Sequence, residues 1–229
     1  MNADAHSFTL AGAHGLLLPT GALFLPAEDL LCVSDLHLGK SERQARRRGV
    51  LLPPYETRAT LDRLAGDLAA TRAATVVALG DSFDDAPAAG ALDAADRATL
   101  AGLMDGRRWV WVEGNHEGGP TSLPGEHHRE VALAGLLFRH EARADAAPGE
   151  VSGHWHPKHG IPGFGDRRAC FLLDARRLVM PAYGAYTGGL EATHPSLRAL
   201  MGPKALAVLT GARAMPVPLP PARATRRAL

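Results

Sequence analysis

The sequence predicts an α/β (α+β) fold built on a mixed sheet, or on two stacked sheets, flanked by helices. Three observations carry this. Strand and helix patterns alternate in the first half of the chain. Short apolar runs come in closely spaced, hairpin-like pairs in the second half. Three of the apolar runs end directly on a polar motif, and in α/β sheets functional groups gather at the carboxyl ends of strands.

Residues 15–18 and 21–25 are apolar runs around a turn and read as a hairpin. Residues 30–33 form a short buried strand that delivers Asp35 and His37 at its end. Over 54–70 the pattern turns helical, with Leu61, Leu64, Ala65 and Leu68 recurring on one face. Residues 75–79 are an apolar, β-branched strand running into Gly80-Asp81, and 91–104 a helix. Residues 109–112 are a strand ending at Gly114-Asn115-His116. The stretches 131–140 and 150–152 supply further strand material; 169–174 and 177–180 form another hairpin, and 205–209 a late strand. From 215 to 229 a Pro-rich and then basic tail is expected to be extended and flexible. The whole, 1–229, reads as a single domain.

Hydrophobic residues make up 46% of the chain, enough for an ordinary core. No apolar run reaches the ~18–20 residues that span a membrane. The first ten residues, with Asp4 and His6, lack a basic stretch followed by an apolar one, so no signal peptide is expected and the default location is cytoplasmic. The net charge of +1 gives no global field to recruit nucleic acid. Cys32 and Cys170 each lie in an apolar run and read as buried strand thiols.

Five motifs carry chemistry, in this order: Asp35-Leu36-His37, Gly80-Asp81-Ser82-Phe83-Asp84, Gly114-Asn115-His116-Glu117, a lone His140, and Gly153-His154-Trp155-His156. Asp35 and His37, two apart at a strand end, would point to the same side and reach one cation. Asp81 sits on a glycine-preceded turn, and its two oxygens could bridge two cations. Asn115 offers a neutral amide oxygen. His154 and His156 repeat the two-residue spacing. Carboxylate, imidazole and amide without thiolate favour Mn²⁺, Fe or Zn²⁺ over a soft metal. Any one motif occurs by chance; all five in order make a strong signal for a binuclear hydrolytic site.

Residues 30–160 resemble the calcineurin-like metallophosphoesterases, which carry all five elements. The resemblance implies a four-layer αββα sandwich with two mixed sheets and a binuclear hydrolase acting on ester bonds. It implies two divalent ions, Mn²⁺ foremost. One would be held by Asp35, His37, Asp81 and His156, the second by Asp81, Asn115, His140 and His154. His116 would face the scissile phosphate and assist the leaving oxygen as the catalytic residue, with metal-activated water attacking phosphorus. Asp84 and Glu117 would support the ligands from behind. The stretch from Ser34 to Lys40, the arginines after it, Leu52-Pro53-Pro54-Tyr55-Glu56-Thr57, and Pro181 to Gly189 look like the bacterial ligase-associated phosphoesterases of the PdeM type. Members of that group are encoded beside a DNA ligase, a helicase and a nuclease. The implied function is a phosphodiesterase or endonuclease acting in repair on DNA of single-stranded character.

Two other readings stay open: a phosphatase or nucleotide phosphodiesterase acting on a small metabolite, and a non-catalytic assembly subunit on the same fold. A homodimer is open as well. Lys40, Arg43, Arg46 and Arg47 follow the first motif; they would line a groove for a phosphate backbone or form a solvated helix face. Tyr183 and Tyr186 would either stack on bases or pack in the interior. His127, His128 and His159 read as loop or surface histidines.

Overall fold

The computed structural model describes residues 4–49, 55–85, 87–116, 119, 123–161, 163, 165 and 167–220. Two mixed sheets stack face to face, with helices on the outer faces. The first sheet starts with β1 (His6–Leu10), β2 (Ala13–Leu17) and β3 (Leu23–Leu25), an antiparallel meander. It continues with β4 (Leu30–Ser34), β5 (Thr75–Leu79), β6 (Arg108–Val112) and β7 (Glu126–His128), which run parallel. The second sheet has the order β15 (Met215–Pro218), β14 (Leu206–Leu209), β12 (Arg168–Leu173), β13 (Arg177–Val179), β10 (Glu150–Ser152), β9 (Leu136–Arg139), β8 (Glu130–Leu133). A short β11 (Lys158–His159) pairs with β12.

β4 and the last four residues of β5 are buried throughout, because both of their faces are covered. Alternate residues serve different layers. Leu30, Cys32, Val77 and Leu79 point between the sheets, where they meet Phe138, Val151, Phe171 and Val208. Leu31, Val33, Val76 and Ala78 point outward to Leu61, Leu64 and Leu68 of α2 (Glu56–Thr71) and Leu100 of α4 (Ala94–Met104). On the far side, Cys170, Leu172, Val179 and Ala207 pack on Leu197 of α5 (Pro195–Leu200). Each fully buried Leu, Val or Phe contributes about 1.5–3 kcal/mol of transfer free energy.

Several expectations change. The helix expected over 91–104 starts later, as α4, because Asp93 caps it through Asp96 N–H; a separate short helix, α3 (Ala88–Ala91), precedes it. The run 131–140 folds on itself as the β8–β9 hairpin, turning at Ala134-Gly135 with both residues at positive φ. The 215–229 tail is not flexible from its start. Met215–Pro218 pairs with β14, placing Pro216 opposite Val208 and Pro218 opposite Leu206, and Leu219 is buried. His127 and His128 lie in β7, half-buried, and His159 is buried against Glu191. Among the described residues no helix is long and apolar enough to cross a membrane.

Candidate metal centre

The parallel strands β4, β5 and β6 end side by side, and the first three motifs follow at those ends. The backbone joins the first two: His37 N–H donates to Asp81 O at 2.9 Å and Leu38 N–H to Ser82 O at 2.9 Å. From the second sheet, Gly153 N–H donates to His140 O at 2.9 Å, and His154 N–H reaches Asp35 Oδ2 at 3.0 Å. Both sheets therefore contribute to one cluster.

The two-residue spacing works differently from the sequence expectation. Asp35 and His37 are not on a continuing strand; both are left-handed, at φ 53° and 46°. Asp81, His154 and His156 are left-handed too, at φ 45°, 69° and 44°. Five of the ten non-glycine residues at positive φ among the described residues are thus predicted ligands. Such backbone is unfavourable for side chains with a Cβ and collects at functional sites. The glycines of the motifs serve close approach. A Cβ at Gly80 would land on the His140 imidazole, and one at Gly153 on Ser34 and Asp35.

The donors form two adjacent groups. In the first, His156 Nε2 lies 3.1 Å from Asp35 Oδ1 and 3.3 Å from His37 Nε2. In the second, Asn115 Oδ1 lies 2.9 Å from His140 Nε2 and 3.0 Å from His154 Nδ1, with Asp81 Oδ2 3.3 Å from His140 Nε2. Asp35, His37 and His156 thus make one group and Asp81, Asn115, His140 and His154 the other, whereas the resemblance had Asp81 in both. Asp84 stands behind the first. Its Oδ1 is 2.9 Å from His37 Nδ1, and its Oδ2 accepts from Arg43 Nη1 at 2.8 Å. With Nδ1–H donated to Asp84, His37 turns its Nε2 lone pair toward Asp35 and His156, the arrangement a ligating imidazole requires. Nitrogen and oxygen acceptors converging this closely fit a divalent cation better than they fit one another.

Electrostatics agree. Burial would raise the pKa of Asp81, but His140, through hydrogen bond and charge, and the His116 N–H hold it well below the usual carboxylate range. Asp35 is likewise lowered against burial, by His156, His140 and Ser34. Burial would lower His140, and Asp81 and Asp35 raise it instead. Burial and the neighbouring His140 lower His154.

His116 borders both groups. Its Nδ1 is 3.0 Å from the Asp84 carbonyl, its ring meets His37 edge-on at 5.1 Å, and its Nε2 lies 3.8 Å from Asp81 Oδ2. Its side chain is 31% exposed, so it is open to solvent. Glu117 lies outside the described residues, as does the 50–54 segment.

The basic run forms α1 (Lys40–Arg48), in which Arg43, Arg46 and Arg47 are already paired. Arg43 binds Asp84, while Arg46 and Arg47 share Asp85 at 2.9 and 3.2 Å. Tyr183 is fully buried, donating its hydroxyl to Asp67 at 2.8 Å, whereas Tyr186 is exposed. Sequence reasoning passed over Ser34, whose hydroxyl donates to Asp35 Oδ2 at 2.5 Å, and Arg43 as a prop for Asp84. Their adjacency to the motifs was the available signal.

The chain matches no protein-family model and no curated protein. Among solved structures it is similar to the crystal structure of Pseudomonas putida nuclease MPE. The TM-score is 0.75 and the identity 26%, covering 93% of this chain and 100% of that chain. The sandwich of two mixed sheets is therefore the fold of a nuclease of known structure.

Proposed function

We propose that the protein is a metal-dependent phosphodiesterase or endonuclease acting on DNA of single-stranded character, as the ligase-associated phosphoesterases it resembles are regarded. The observation that carries this reading is the pair of adjacent donor groups, with His116 on their border, in a fold shared with a nuclease. Asp35, His37 and His156 would hold one divalent ion and Asn115, His140 and His154 a second, with Asp81 shared. Bound there, two ions supply positive charge at the phosphoryl oxygens and a water of lowered pKa. Mn²⁺ suits the mixed nitrogen and oxygen donors.

The chain's own residues do the remainder. Asp84 fixes the His37 ring, and Arg43 keeps Asp84 charged. Ser34 and the His154 N–H orient the Asp35 carboxylate. The Asp84 carbonyl would accept from His116 Nδ1–H, so that in the imidazolium form Nε2–H faces outward and would pass its proton to the leaving oxygen. Lys40 and the outward faces of Arg46 and Arg47 would form a basic rim for the phosphate backbone; Arg43 belongs to the ligand support instead.

The test is hydrolysis of a bis-aryl phosphate diester against the matching aryl monoester by metal-free protein, with Mn²⁺, Mg²⁺ and Zn²⁺ added back separately. Diester cleavage that needs metal and is lost in Asn115→Ala and His116→Ala is expected. Preference for the monoester would move small phosphorylated metabolites ahead. No cleavage with any metal would favour an assembly subunit, docking partners such as a ligase or helicase.

A further inference from the structure

Two large apolar side chains are exposed among the described residues, Tyr55 at 67% and Tyr186 at 53%. The Tyr186 loop is bonded to the first donor group, and the Tyr55 segment to residues next to it. The 184–190 loop is tied to two of its ligands. Gly184 N–H donates to Asp35 O at 3.1 Å, and Leu190 N–H donates to His156 O at 3.2 Å. Inside the loop, Thr187 Oγ1 donates to Gly184 O and Lys158 Nζ to Thr187 O, both at 3.0 Å. Tyr186 is left-handed at φ 56°, a conformation that a bulky residue adopts only when its surroundings impose it.

Tyr55 precedes α2, whose first turns join the same neighbourhood. Thr57 Oγ1 accepts from Gly39 N–H, two residues past His37, and Thr60 Oγ1 accepts from Ala185 N–H, both at 3.0 Å. One helix start therefore connects the segment after His37 with the loop carrying Tyr186. Tyrosine packs well indoors, as Tyr183 does just before this loop. Leaving Tyr55 and Tyr186 in water beside a phosphoester site suits planar partners.

We propose that Tyr55 and Tyr186 form a stacking platform for unpaired bases of single-stranded DNA on the side of Asp35, His37 and His156. This rests on the phosphodiesterase reading above. Bases in a duplex have no free face, so the platform selects single strands, and it tolerates any base because each has a π-face. Helix α1, which packs against α2, would offer its basic rim to the backbone.

The test compares cleavage in Mn²⁺ of two single strands of equal length, one of thymidine units and one with abasic units throughout. Both offer the same phosphates. Wild type is expected to prefer the thymidine strand in kcat/KM. Tyr186→Ala and Tyr55→Ala should each cut that preference by about 5- to 150-fold, the usual range for loss of a base–aromatic stack. Tyr186→Phe, which keeps the ring, should retain it. An equal fall on both strands would mean a structural role, and an unchanged preference would mean no stacking; either overturns the platform. If wild type cuts neither strand but hydrolyses the bis-aryl diester, the platform fails alone. If it does neither, the function proposed above fails with it.

Discussion

Asp84→Asn tests whether the first donor group depends on the carboxylate behind it. Asp84 is 1% exposed and touches His37 and Arg43 at 2.9 and 2.8 Å. Burial would raise its pKa; His37 and Arg43 instead hold it at about 2, against an ordinary 3.8. That difference corresponds to roughly 2 kcal/mol of preference for the charged form. Asparagine keeps the shape and an oxygen for His37 Nδ1–H, but it loses the charge facing Arg43. The metal-free variant should therefore be about 1–2 kcal/mol less stable at neutral pH. The sign follows from a depressed folded pKa. The contribution is present above the unfolded value and is lost as pH falls toward 2, so the gap should close in acid. Removing a carboxylate behind a ligating imidazole commonly weakens metal binding about 10- to 100-fold. Calorimetric titration of metal-free protein with Mn²⁺ measures this, and urea unfolding at neutral and acid pH measures the gap. A folded variant binding Mn²⁺ within a factor of about two of wild type would refute the positioning argument.

Gly80→Ala should cost about 1–3 kcal/mol of stability and weaken metal binding, because its Cβ would meet the His140 ring at a φ of +72°. Unchanged urea midpoint and unchanged Mn²⁺ affinity would contradict this. Asp67→Asn should gain on wild type as pH rises out of the carboxylate range. Burial raises the Asp67 pKa against its bonds from Thr20 and Tyr183, so wild type loses stability as the group ionises and the variant does not. A stability difference that does not vary with pH would sink that reading. Cys32 and Cys170 are free and fully buried, and burial pushes both thiols up. A thiol reagent should label neither in the native protein and both in urea; rapid native labelling would show that the interior opens.

What the sequence could disclose was local. The runs before Asp35, Asp81 and Asn115 were legible as strands because both their faces are buried, which removes polar residues from them. The ligands were legible because glycine, carboxylate, amide and imidazole recur at fixed spacing. The left-handed backbone that turns Asp35 and His37 inward was hidden, since it is imposed by bonds to Gly80 and Asp81 from another strand. The pairing of Arg46 and Arg47 with Asp85 was hidden in the same way. Tyr183 and Tyr186, three apart, could not be told apart until Asp67 claimed the first. β15 reads as coil on propensity and becomes a strand only because β14 lies beside it.

That last strand bears on self-association. An unpaired sheet rim recruits foreign strands through its amide donors. Proline has none, and backbone groups two residues apart face the same way. Met215 and Val217 must therefore supply the N–H groups facing β14, which leaves Pro216 and Pro218 on the outward rim. A strand approaching from solvent finds no donor at either position. Adding a strand at this edge is therefore disfavoured, and the sheet resists lengthening into a fibre from this end.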